Sequence, residues 1–172
     1  MKIVGKEKME SIRQTSALKT MYYTRYFMIR YVVTFFFFTN LYWIIMLYLS
    51  KASATVFIPI VLGTFAFFAM WEQFKMYSTK QKKATVTKTF FKTTIAVNAC
   101  LIVMTLAGQS YILYPFFNTS FTSRMVVTSL LALGILLSFW MLVKISHINT
   151  NKDRQYARIN RYLASLKPSK HY

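Results

Sequence analysis

Residues able to move protons, bind metals or attack electrophiles are scarce in this sequence. Its 172 residues hold four acids (Glu7, Glu10, Glu72 and Asp153), two histidines (His147 and His171) and one cysteine, Cys100. Neither histidine has a carboxylate or cysteine at catalytic or metal-ligand spacing. The serine, threonine and tyrosine hydroxyls have no base beside them. Four scattered glycines make no phosphate-cradling loop. Cys100 excludes an intramolecular disulfide and reads as a small buried apolar residue. No catalytic residue, metal ligand or cofactor is expected.

Three groups of residues remain to be placed. Glu72 is the one acid away from the chain ends, beside Trp71. A carboxylate at membrane depth is costly and is a functional candidate by default. Lys75, three residues on, would satisfy it as a helical ion pair, and that pairing is favoured over a proton or cation site. Asn98, Thr105 and Gln109 form a second group. Asn98 and Gln109 are eleven residues apart, about three helical turns, and so share a face. Such a stripe either hydrogen-bonds neighbouring helices or lines a water path. Small residues form the third group: Gly63 and Ala66 on one side of a helix, and Gly134 and Ser138 as a small-xxx-small pair. They let helices approach closely.

The elements that carry these residues follow from the charge distribution. Residues 31–50, 52–71, 93–123 and 125–143 contain no charged side chain. Crossing a bilayer core takes roughly 20 apolar residues, and each stretch suffices. Backbone groups in hydrocarbon must pair within their own segment, which leaves helices or closed barrels. The run Phe35-Phe36-Phe37-Phe38 does not alternate as a barrel strand would. The fold expected is all-α, an integral membrane bundle of four transmembrane helices over residues 31–50, 52–73, 93–116 and 125–145. Short outer turns make the first and second spans, and the third and fourth, antiparallel neighbours.

Charge also predicts orientation. The net charge is +18, with 22 Lys and Arg. Seven precede the first span, six lie between the second and third, and seven follow the fourth; the two remaining loops hold one each, Lys51 and Arg124. Cations are retained on the cytoplasmic side, so both termini and the loop 74–92 are expected there. Residues 1–30 and 146–172 read as basic amphipathic helical flanks. In the first, Met9, Ile12, Met21, Tyr22, Tyr26 and Ile29 suggest an apolar face. In the second, Tyr156, Ile159, Tyr162, Leu163 and Leu166 face away from Arg154, Arg158 and Arg161. Those arginines suit anionic lipid headgroups or a partner. Membrane tethering accounts for the cations without nucleic acid, so no nucleic acid is expected. Tyr42, Trp43, Tyr48, Tyr111 and Tyr114 fall where an outer aromatic belt would lie.

The segment from Ser11 to Thr20 (SIRQTSALKT), together with Phe38-Thr39-Asn40-Leu41-Tyr42-Trp43, resembles small four-span membrane proteins of low-GC Gram-positive bacteria. Some of these are labelled as components of sugar phosphotransferase systems. The resemblance implies a bacterial plasma membrane, with the mitochondrial inner membrane as the alternative. A phosphocarrier would need a soluble domain with a phosphorylatable histidine, and neither His147 nor His171 has such a setting. The functional expectation is a non-catalytic accessory or scaffolding subunit of a larger membrane complex, with a membrane-protein partner or a second copy of itself. The alternative is a small oligomeric transporter or channel whose path follows the polar face of the third span.

Overall fold

A computed structural model describes residues 2–51, 55–76, 84–117 and 120–166, with side chains from Lys8 on. His171, Asn118, Thr119 and residues 77–83 of the basic loop lie outside the described residues. Seven α-helices follow in order among them: α1 (Lys2–Thr24), α2 (Phe27–Leu49), α3 (Phe57–Lys75), α4 (Thr85–Met104), α5 (Ser110–Leu113), α6 (Phe121–Asn149) and α7 (Arg154–Leu166). A π-helical turn, Thr105–Gln109, joins α4 to α5.

Four elements are long and apolar enough to cross a membrane: α2, α3, the α4–α5 run and α6. They extend past the charge-free limits at several ends. α2 begins at Phe27, which takes Arg30 into its first turns, and α4 begins at Thr85, which takes in Lys88 and Lys92. Long cationic side chains near a helix end can extend toward the headgroups, so the helix need not stop at the first charge. α3 starts at Phe57, and Pro59 is accommodated in its first turn, where no intrahelical N–H is needed.

Burial shows the helical period and its direction. In α2 the buried residues are Ile29, Val33, Phe36, Asn40 and Leu47; in α4 they are Thr87, Phe90, Phe91, Thr94, Asn98 and Leu101. The steps of three, four and seven place each set along one face. The outer faces are apolar as well: Phe35, Phe68 and Leu136 are more than half exposed. Helices apolar all round belong in lipid, and the chain is a multi-pass membrane protein.

α2 packs on α3, α3 on α4, and α4 on α6, while α2 and α6 meet only briefly. Toward the end of the bundle that carries α1 and α7 (the terminal end), the core is aromatic. Phe90 meets Phe36, Phe65 and Phe91 with ring centroids 6.1, 5.8 and 5.3 Å apart. Such edge-on and tilted contacts are worth about 0.5–1.5 kcal/mol each beyond area burial. At the opposite end Leu101, Leu113, Tyr114 and Val127 form a second cluster. There Trp43 stacks on Tyr114 at 5.3 Å. The expected aromatic belt is therefore divided: Tyr42, Tyr48 and Tyr111 point outward, whereas Tyr114 is 7% exposed and packed in the core.

The flanks differ from the sequence reading in what they pack against. α7 lies against α1, and Ile159 is fully buried there. On that side of α7 Tyr156, Tyr162 and Leu166 are part-buried, and Leu163 stays exposed. On α1 the part-buried residues run through Gln14, Ala17, Leu18, Met21 and Tyr22, whereas Met9 and Ile12 are exposed. The expected face from Met9 to Ile29 therefore holds only in its second half, where α7 reaches.

Candidate functional site

The densest polar chemistry lies at the terminal end, where two hinges meet. The first is the two-residue turn Arg25–Tyr26 between α1 and α2. The second is the end of α6. There Asn151 adopts φ +55°, its N–H donates to the Ile148 carbonyl (3.1 Å), and the Lys152 N–H donates to the His147 carbonyl (3.0 Å). That bond pair is a Schellman cap, and asparagine is the usual alternative to glycine at its left-handed position. Asp153 then caps α7, accepting from the Tyr156 N–H at 3.3 Å.

Arg25 joins the two hinges. It is 2% exposed and forms a side-on fork with Asp153: Nε donates to Oδ2 at 3.0 Å and Nη2 to Oδ1. Nη2 also donates to the Ile148 carbonyl and to Asn151 Oδ1, both at 3.0 Å. The Tyr156 ring stands 5.1 Å from the guanidinium carbon. A cation this deeply buried is tolerated only when paired and hydrogen-bonded. The four acceptors close the α1–α2 and α6–α7 corners on each other. Arg25–Asp153 is the one ion pair among the described residues.

Glu72 lies in the same region with a different partner from the one expected. Its carboxylate accepts from the Val86 and Thr87 N–H groups at 2.9 and 2.8 Å and from Thr87 Oγ1 at 2.8 Å. Ala84 precedes α4 and offers no side-chain cap, so Glu72 on α3 supplies the cap from across the helix pair. The location suits a carboxylate, because a helix N-terminus is electropositive. Lys75 does not pair with it and stands 5.4 Å from the Trp71 ring centroid. Gln73, fully buried, donates Nε2 to Thr87 Oγ1 at 3.0 Å. Since that hydroxyl proton goes to Glu72, the amide orientation is fixed and Gln73 Oε1 has no partner. Tyr26 stands between the two clusters. Burial raises its phenol pKa; Arg25 opposes the shift, and Asp153 and Glu72 add to it.

The third-span stripe divides. Asn98 and Thr105 are buried on one face, at 8% and 0% exposure. Gln109 is exposed. The π turn and Gly108, at φ +88°, break the helical register between Thr105 and Gln109, so the eleven-residue count no longer returns to the same face. Asn98 meets α6 at Gly134, where an added Cβ would come 2.6 Å from Asn98 Nδ2. Gly63 faces Asn40 of α2, where an added Cβ would stand 3.7 Å from the Asn40 Cβ. Ala66 and Ser138 are fully buried, and Ser138 Oγ has no partner. Arg154, Arg158 and Arg161 are exposed on α7, away from Ile159. Cys100 is exposed rather than buried, because it lies on the outer side of α4, away from the Asn98 face.

Arg25, Asp153 and Asn151 escaped the sequence reading. Arg25 is one of 22 cations, and nothing local separates it from those that only set topology. Asp153 carried a usable signal, since an aspartate just before an amphipathic run reads as an N-cap. Its ion-pair partner, 128 residues away, had no such signal. No family model, curated protein or solved structure matches the chain.

Proposed function

We propose that the protein is a non-catalytic accessory or scaffolding subunit of a larger membrane complex, with both termini and the α3–α4 loop on the cytoplasmic side. The observation that carries this reading is where the polar groups of the bundle point. Glu72 caps α4, Asn98 packs on Gly134, and Arg25 with Asp153 locks the two terminal helices together. The groups best suited to chemistry are engaged in holding helices to one another. What is left for an outside partner is the α1–α7 pair, with Arg154, Arg158 and Arg161 exposed along one side. The concentration of cations in the two flanks and the α3–α4 loop supports the orientation. The bacterial plasma membrane is the setting that the sequence resemblance implies.

The transport reading loses support where Gln109 turns away from Asn98 and Thr105. The deciding experiment is mild-detergent purification of the tagged chain from its native membrane, with native sizing and mass spectrometry. It is repeated with Arg154, Arg158 and Arg161 changed together to glutamine. A stoichiometric larger partner, lost in the triple variant, is the expected result. A homo-oligomer with no other protein, conducting ions or solutes after reconstitution, would replace the proposal with transport.

A further inference from the structure

Arg30 lies in the first turns of α2 and is half-buried. Its guanidinium carbon stands 3.5 Å from the centroid of the Tyr23 ring, so one face of the group is covered. Its Nε and Nη2 are buried and bond to nothing. These two atoms form the side-on fork, the same pair with which Arg25 grips Asp153. Such a fork matches the two oxygens of a carboxylate or phosphate. None of the carboxylates with described side chains fills it. Glu72 is bonded to α4, Asp153 is bonded to Arg25, and Glu10 is exposed on α1. Sealed donors without acceptors cost about 1–3 kcal/mol each, and more when charged. A missing acceptor is therefore the simplest account of the site.

Depth identifies the acceptor. From Arg30 to the end of α2 at Leu49 is nineteen residue steps, about 28 Å at a rise of roughly 1.5 Å per residue. That matches the hydrocarbon thickness of about 30 Å. With Leu49 at one boundary, Arg30 stands at the other, at the level of headgroup phosphates on the side of α1 and α7.

We propose that Arg30, braced by the Tyr23 ring, binds the phosphate of a membrane phospholipid through its Nε and Nη2 atoms. The proposal rests on α2 being a membrane span and not on the accessory-subunit reading. The exposed part of Arg30 gives the headgroup its approach. A turn of the guanidinium tip over the ring presents the fork. Lysine would keep the charge and lose the paired geometry.

The test uses the full chain purified with phosphatidylglycerol, stripped in detergent, and examined by native mass spectrometry for retained lipid. The wild-type chain is expected to keep one phospholipid. Arg30→Lys, Arg30→Gln and Tyr23→Leu should each lower retention, the first two by about tenfold or more, as loss of a bidentate charged contact implies. Lys88→Gln, an exposed cation in the first turn of α4, should leave retention unchanged. Equal retention in wild type and Arg30→Lys overturns the proposal, as does an equal loss in Lys88→Gln, which would mean general charge attraction. Displacement of the lipid by inorganic phosphate would reassign the site to a free anion and overturn the lipid assignment. Release of the chain from membranes by carbonate without detergent would remove the span reading instead.

Discussion

Replacing Asp153 with asparagine should loosen α7 from α1 while leaving the four-span bundle in place. The substitution preserves shape, and asparagine caps a helix about as well as aspartate, so the cap on Tyr156 does not account for any effect. What changes is the charge opposite Arg25, whose side chain is fully buried, while that of Asp153 is 15% exposed. Removing one partner from a buried pair costs roughly 3–5 kcal/mol. Arg25 keeps its bonds to the Ile148 carbonyl and to Asn151, and the amide oxygen introduced by the substitution still accepts one donor. The expected penalty therefore falls to about 2–3 kcal/mol. Because the pair closes the hinges and lies outside the aromatic core, the penalty should appear as local opening. Amide exchange across α7 should accelerate by roughly 30- to 150-fold, with exchange in α2 and α4 little changed. Adding Arg25→Met removes the stranded charge, and the double variant should recover much of the α7 protection. Unchanged exchange in Asp153→Asn would refute the clasp. So would a double variant as open as the single one.

Three further outcomes follow from the same contacts. Glu72→Ala strips the cap from α4 and should lower stability in micelles by about 2–4 kcal/mol, read by thermal unfolding; Glu72→Gln, which keeps an acceptor, should cost less than half of that. Gly134→Ala drives a Cβ to 2.6 Å from Asn98 Nδ2 and should destabilise by about 1–2 kcal/mol, and Asn98→Ala in the same chain should restore stability. Tyr26 has its phenol pKa raised by burial, with Asp153 and Glu72 adding to the shift. The folded state thus holds that proton more tightly than the unfolded chain. Its contribution is fully present below about pH 10 and is lost as pH rises through the raised value. A stability–pH curve of Tyr26→Phe should lack that part of the alkaline decline.

The amino-acid sequence by itself determined the four helices and their pairing into hairpins, for a reason rooted in solvent. Long charge-free runs can satisfy their backbone in hydrocarbon only as helices, and short turns leave successive helices side by side. Helix ends were less legible, because Arg30, Lys88 and Lys92 lie within helices that their charges would have seemed to end. Tertiary structure decided the partners. Glu72 had a lysine at the right helical spacing, yet the uncapped N–H groups of α4 were the stronger attraction. Gln109 counted onto the face of Asn98 until Gly108 and the π turn changed the register. The apolar side of α7 suited a lipid surface in sequence, and in the fold α7 lies against α1 with Ile159 buried while Leu163 stays exposed. Arg25 and Asp153 are each ordinary in their own neighbourhoods. Only the meeting of two hinges 128 residues apart makes them a buried pair, because hydrophobic period is local information and the choice among many equivalent cations is not.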